Sequence, residues 1–213
     1  MSRAGEVFSI AAENPAVPGC TVSMRETDEI YHFALAAKTD ISAEVYPYPK
    51  LIVMAEGLME VCATDGRSWT MRAKDCLITP TDIPVGMRSE SGAVYTEICL
   101  RRNTNMNDII NAGEVFKLAE LLPYQDGRIV NMDLINEPKL KFVLMSFDEG
   151  TGLSEHAAPG EALIFALDGE GVIGYEGEDH PIKAGENFKF AKGGMHSVKA
   201  TGKFKMALLL TLN

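Results

Sequence analysis

The chain has 213 residues, 46% of them hydrophobic and 23% charged, enough for one large domain or two small ones with ordinary cores. Its net charge of −10 repels phosphate backbones and anionic lipid headgroups, so nucleic acid and membrane are poor partners. No apolar run approaches the ~20 residues of a membrane-spanning helix, the N-terminus has no secretory apolar region, and Cys20, Cys62, Cys76 and Cys99 form no Cys-x-x-Cys pair. A reducing cytoplasm is the expected compartment.

In chain order, Gly5-Glu6-Val7-Phe8 leaves room for a short helix behind it. The apolar run Phe33 to Ala37 follows His32, which places that imidazole in a core or interface. Leu51 to Gly57, LIVMAEG, reads as strand and turn, and Trp69 and Met71 pack at a strand surface. Asn107 to Leu122 carries Ile110, Phe116, Leu118, Leu121 and Leu122 ahead of Pro123, which predicts a connecting helix.

From there the chain repeats itself, an observation that comes before any guess at the fold. Gly113-Glu114-Val115-Phe116 repeats the opening motif, Val130-Asn131-Met132 matches Val22-Ser23-Met24, and LIFALDG (Leu163 to Gly169) matches LIVMAEG. Gly66 pairs with Gly177, Ala73-Lys74-Asp75 with Ala184-Gly185-Glu186, and Gly92 with Gly202, in unbroken order and at an offset that drifts by only a few residues. Two homologous halves are expected, 1–104 and 105–213.

Each half is rich in strands. Phe204, Met206, Leu208 and Leu210 alternate with Lys203, Lys205 and Ala207, and Phe188 and Phe190 with Asn187 and Lys189, the period of two that gives a strand one apolar face. Turns recur at Asp168-Gly169, Glu176-Gly177, Ala184-Gly185, Gly193-Gly194 and Thr201-Gly202. Many short strands between regular turns predict an all-β sandwich or barrel. Ile164, Ala166, Phe188, Phe190, Phe204, Met206 and Leu208 are expected inside it, and His180 in a solvent-facing acidic turn.

SEHAAPGEALIFALDGEG (Ser154 to Gly171), followed by IKAGENFKFAKGGMH (Ile182 to His196), resembles the cupin superfamily, and the doubling resembles a bicupin. The resemblance implies two tandem double-stranded β-helix (jelly-roll) barrels joined by the short helix. Cupins usually hold one divalent metal with two histidines one residue apart, a glutamate, and a third histidine in a later motif. In the second half His156 matches the first histidine, Ala158 the second, Ala162 the glutamate and His196 the third. In the first half Glu44, Tyr46 and Lys50 stand at first-motif positions and Val85 at the third histidine. The resemblance therefore implies a degenerate metal site in the C-terminal barrel and none in the N-terminal one.

Two imidazoles are an incomplete set, because catalytic metal sites usually supply three protein ligands. Zinc, iron, manganese or nickel would need a further donor beside His156 and His196. The expected function is small-molecule binding in the C-terminal barrel, with His156, His196, Ser154, Phe190 and Met206 as contacts and with Ala158 and Ala162 leaving space. Burial would keep both imidazoles neutral. The first barrel would serve as a structural partner. The alternative is a cupin enzyme, an isomerase, an epimerase or a metal-assisted catalyst, using His156 or His196 as base or metal ligand. A sensor role is weakest, since the chain has no room for a helix-turn-helix. Outer apolar faces such as Leu163, Phe165 and Leu167 need cover from the other half or from a homodimer partner.

Overall fold

The computed structural model describes residues 4–101 and 105–212. Its strands, in order, are β1 (Val7–Phe8), β2 (Thr21–Arg25), β3 (Ile30–Leu35), β4 (Thr39–Glu44), β5 (Lys50–Ala63), β6 (Ser68–Arg72), β7 (Asp75–Ile78), β8 (Val85–Ser89) and β9 (Ala93–Cys99). They continue with β10 (Val115–Lys117), β11 (Ile129–Asn136), β12 (Leu140–Phe147), β13 (Gly152–Ala157), β14 (Glu161–Tyr175), β15 (Glu178–Lys183), β16 (Asn187–Phe190) and β17 (Met195–Thr211). One short helix, α1 (Ile10–Glu13), lies in the region that Gly5 opens. The fold is all-β.

The chain forms two compact units. One holds the described residues up to Ser9, residues 105–107, and everything from Leu118 on; the other holds Ile10 through Arg101 and Asp108–Lys117. Sheet order is β1-β16-β14-β17-β12-β11 in the first and β10-β7-β5-β9-β3-β2 in the second, with β13 and β15, or β4, β6 and β8, completing the second layer. The two orders correspond strand for strand, so the sequence repeat is a repeat of topology, two jelly-roll barrels. The Gly-Glu-Val-Phe motif is the edge strand of each: Val7 pairs with Phe188, and Phe116 with Cys76. By these pairings each motif completes the barrel built mainly from the other half of the sequence.

The helix expected over Asn107 to Leu122 is not formed; only a 3-10 turn, Leu118–Glu120, remains of it. Ile110, Leu118 and Leu122 are buried as the pattern requires. However, Gly113 takes a positive φ of 79°, its N–H bonds to the Ile78 carbonyl, and β10 then joins β7. A free strand edge competes successfully with local helix propensity.

Each barrel keeps one apolar interior. Ile52, Met54, Met59, Val61, Leu77 and Tyr95 anchor one, and Ile164, Phe188, Phe190, Phe204 and Met206 the other, with Leu208 partly buried against it. A long strand passes from one layer to the next in both. Lys50 to Met54 of β5 pair with β9, while Leu58 to Cys62 pair with β6. The bend lies at a bulge between Met54 and Glu56, followed by Gly57 at φ 84°; β14 has its counterpart between Ala166 and Asp168, followed by Gly169 at φ 68°. A Cβ at Gly57 would meet the Gly92 carbonyl, and one at Gly169 the Lys203 carbonyl. Both the backbone angle and the closeness of the neighbouring strand therefore demand glycine.

Gly57→Ala or Gly169→Ala should cost about 2 kcal/mol or more. Gly127→Ala, at φ 64° with open space around it, should cost only about 1 kcal/mol. Urea unfolding reads the difference, and equal costs at the three positions would contradict the bulge account.

Candidate functional site

The sequence-predicted site is assembled by β13 and β17. His156 and His196 are direct cross-strand partners with ring centroids 4.2 Å apart, and the Phe190 ring lies 4.1 Å from His196. His196 is buried, whereas His156 is exposed. Each Nδ1 sits by a nearby backbone carbonyl, Ser154 at 2.9 Å for His156 and Gly194 at 3.2 Å for His196. Assigned from these bonds, the ring proton sits on Nδ1, which leaves Nε2 as the free acceptor of both rings. Burial lowers the His196 pKa; the Gly194 hydrogen bond pulls it up, and neighbouring His156 adds to the lowering.

Ser154 contributes its carbonyl, and its side chain is exposed. β13 shifts register between Leu153 and His156, and Leu153 packs against the core. Phe190 and Met206 lie in one buried cluster with Ala158 and Ala162. His180 is not in a turn: it lies in β15, half-buried, with its ring 5.1 Å from Phe188. His32 is buried and bonds Thr96 Oγ1 at 2.9 Å.

Among the described residues no three His, Cys, Asp or Glu side chains converge as metal ligands. Two imidazoles beside two alanines packed in an apolar cluster do not fit a resident divalent ion.

The other barrel holds a cavity of about 250 Å³. Its polar heart is Lys50 Nζ and Glu97 Oε1, 2.9 Å apart with side chains only 9% and 6% exposed. Strand register explains the meeting. Tyr95, Glu97 and Cys99 share the inner face of β9; Tyr31 and Phe33 oppose Glu97 and Tyr95 from β3, and Lys50 opposes Cys99 from β5. Phe33 stacks on Tyr95 at 5.1 Å, and Lys50 Nζ sits 3.3 Å from the centre of the Tyr46 ring. Tyr46 donates a 2.5 Å hydrogen bond to Glu44, which raises its pKa. Burial raises those of Tyr48, Tyr95 and Cys99, so these phenols and the thiol stay protonated donors near neutral pH.

Glu44, Tyr46, Lys50 and Val85, the four first-half positions aligned with the metal motif, all line this cavity. The resemblance marks these positions only as lacking metal ligands, and an acid, a phenol and an ammonium stand there. Glu97 lies outside any motif; its only sequence signal is an acid within the otherwise uncharged strand Ala93–Cys99.

Residues 143–212 match the family model of the cupin domain. A Cupin 2 conserved barrel domain protein from Leptotrichia buccalis is 27% identical, with 99% of this chain and 98% of that one aligned at a TM-score of 0.85. Salicylate 1,2-dioxygenase from Pseudaminobacter salicylatoxidans, 11% identical, covers 90% of this chain and 76% of its own at 0.63, and AerE from Microcystis aeruginosa, 13% identical, covers 91% and 97% at 0.52; both share the fold alone. No curated protein matches the chain. The domain match covers most of the C-terminal barrel, and the chain as a whole shares the fold of the Leptotrichia buccalis cupin-barrel protein.

Removing one partner of the buried ion pair strands the other, so Glu97→Ala should cost about 3–5 kcal/mol, and Lys50→Met/Glu97→Leu less than either single change. Additive losses in a double-mutant cycle would show that the pair is not coupled. For His196 the folded pKa lies below its ordinary 6.5, so its contribution to stability is complete above that value and is lost as pH falls through the folded pKa. Tm should therefore fall between about pH 7.5 and about pH 5, less steeply in His196→Gln. An unchanged slope would contradict the burial of this imidazole.

Proposed function

We propose that the protein is a bicupin with a degenerate metal motif that binds a small organic molecule without a resident metal. One observation carries this reading: a barrel cavity walled by Tyr31, Phe33, Tyr46, Tyr48 and Tyr95 encloses a nearly dry lysine–glutamate pair. Burying two charges is costly and an apolar pair of similar volume would fold at least as well, so their retention at the base of a cavity argues for a ligand. Apolar walls with a few placed polar groups are the usual form of such a site. The binding site then lies in the N-terminal barrel, in place of the structural role first expected of it.

His156 and His196 support a second reading, in which the C-terminal barrel binds a small molecule or acts as an isomerase, an epimerase or a metal-assisted catalyst. Two imidazoles with ring centroids 4.2 Å apart, each with its Nδ1 beside a backbone carbonyl, favour it, as base or ligand. No helix among the described residues is long and apolar enough to cross a membrane, and all four cysteines are free thiols, which supports a reducing, cytoplasmic setting.

A fragment library scored by thermal shift in EDTA tests the choice. Hits saturating the site a hundredfold above Kd should stabilise the protein by about 2.7 kcal/mol. They should persist in His156→Ala/His196→Ala and vanish in Lys50→Met/Glu97→Leu. Hits that need added metal, or that vanish in the histidine variant, would favour the second reading.

A further inference from the structure

The cavity has a polar end and an apolar end. Along β9, Cys99 and Glu97 lie level with Lys50 and Tyr31, while Tyr95 lies roughly 7 Å further on, level with Phe33. Met87 and Ile41 close the apolar end. A volume near 250 Å³ equals on the order of eight water molecules at ~30 Å³ each, room for one substituted six-membered ring.

The unspent hydrogen-bonding capacity at the polar end is specific. Glu97 Oε1 takes both the Lys50 ammonium and the Cys99 thiol, at 2.9 and 3.8 Å. The Lys50 and Cys99 contacts both fall on Oε1, which leaves Oε2 as the second acceptor of a carboxylate that lines the cavity. The ammonium has three N–H donors; one meets Glu97 and the Tyr46 face takes another side of it. The Tyr95 hydroxyl, fully buried, reaches only the Met87 thioether at 3.8 Å.

A ligand group at that point must accept from an ammonium and donate to a carboxylate. A carboxylate ligand would lie against Glu97, and an ammonium against Lys50, each a like-charge contact in a dry site. The lining charges already cancel, Lys50 and Arg101 against Glu44 and Glu97, so an ionic ligand gains nothing from the cavity as a whole. A hydroxyl both donates and accepts, carries no charge, and fits. The aromatic walls and the single polar end call for one hydroxyl on a flat apolar body, whereas a polyol would bury hydroxyls against Phe33 and Met87 without partners.

Resting on the binding reading above, we propose that the N-terminal barrel binds a neutral, hydroxyl-bearing aromatic ring of the phenol class. Its hydroxyl donates to Glu97 Oε2 and accepts from Lys50 Nζ, and its ring lies among Phe33, Tyr46 and Tyr95.

Isothermal titration of the full chain with five probes tests this: 4-methylphenol, 4-methylbenzoate, 4-methylbenzylammonium, toluene and methyl glucoside. The phenol should bind at least tenfold more tightly than each of the others. Glu97→Gln, which turns one acceptor oxygen into a donor, should weaken it about tenfold. Lys50→Met/Glu97→Leu should bind toluene in preference to the phenol, and serves in place of the single variant if that one does not fold. Tighter binding of the benzoate, the benzylammonium or the glucoside overturns the hydroxyl class while leaving the cavity a binding site. Toluene equal to the phenol in the wild type overturns the role of the ion pair. No binding by any probe at millimolar concentration overturns both this proposal and the reading it rests on.

Discussion

Lys50 and Glu97 are held out of water by the strands that hold them together. The β5–β9 register brings Lys50 opposite Cys99 and Ile52 opposite Glu97, and the closed barrel leaves those side chains one interior to share. An unpaired charge there would cost several kcal/mol, so neither residue is tolerable without the other. Much follows from this pair. Tyr46 lies over the ammonium and turns its hydroxyl to Glu44; the Cys99 thiol turns to Glu97; and the ammonium and the carboxylate both line the cavity.

The two barrels solve the same interior differently. In one, the positions aligned with a metal motif hold Glu44, Tyr46, Lys50 and Val85, and they border a cavity. In the other, His156 and His196 survive as a cross-strand pair, one exposed and one buried, while Ala158 and Ala162 are absorbed into a cluster with Phe188, Phe190 and Phe204. Losing ligands does not of itself create room: small residues leave space only where no large neighbour moves in. The barrel with no histidine at these positions kept more polar chemistry than the barrel with two.

Strand periodicity and the repeated motifs made the two-barrel fold legible, because a period of two and a recurring Gly-Glu-Val-Phe are local facts. Partner choice was not local. The same motif that announced the repeat is an edge strand on β16 or β7, a pairing no neighbouring residue dictates. The helix over Asn107 to Leu122 failed for the same reason, its apolar spacing being satisfied by burial of Ile110, Leu118 and Leu122 without helical hydrogen bonds. At the site, the histidine pairing was readable from the motif, whereas the register shift in β13 was not, because a bulge leaves no mark in the pattern. Glu97 was the largest omission: an acid in a strand means little until its neighbours across the sheet are known.

The proposed ligand site is in the N-terminal barrel. Methionine-methyl carbon-13 NMR of the intact protein, titrated with 4-methylphenol, tests it most directly, since Met87 lines that cavity and Met206 lies in the core of the other barrel. With both signals assigned by Met→Leu variants, a ring-current shift confined to Met87 and its neighbours is the predicted result. A shift at Met206 with Met87 unmoved would contradict the account.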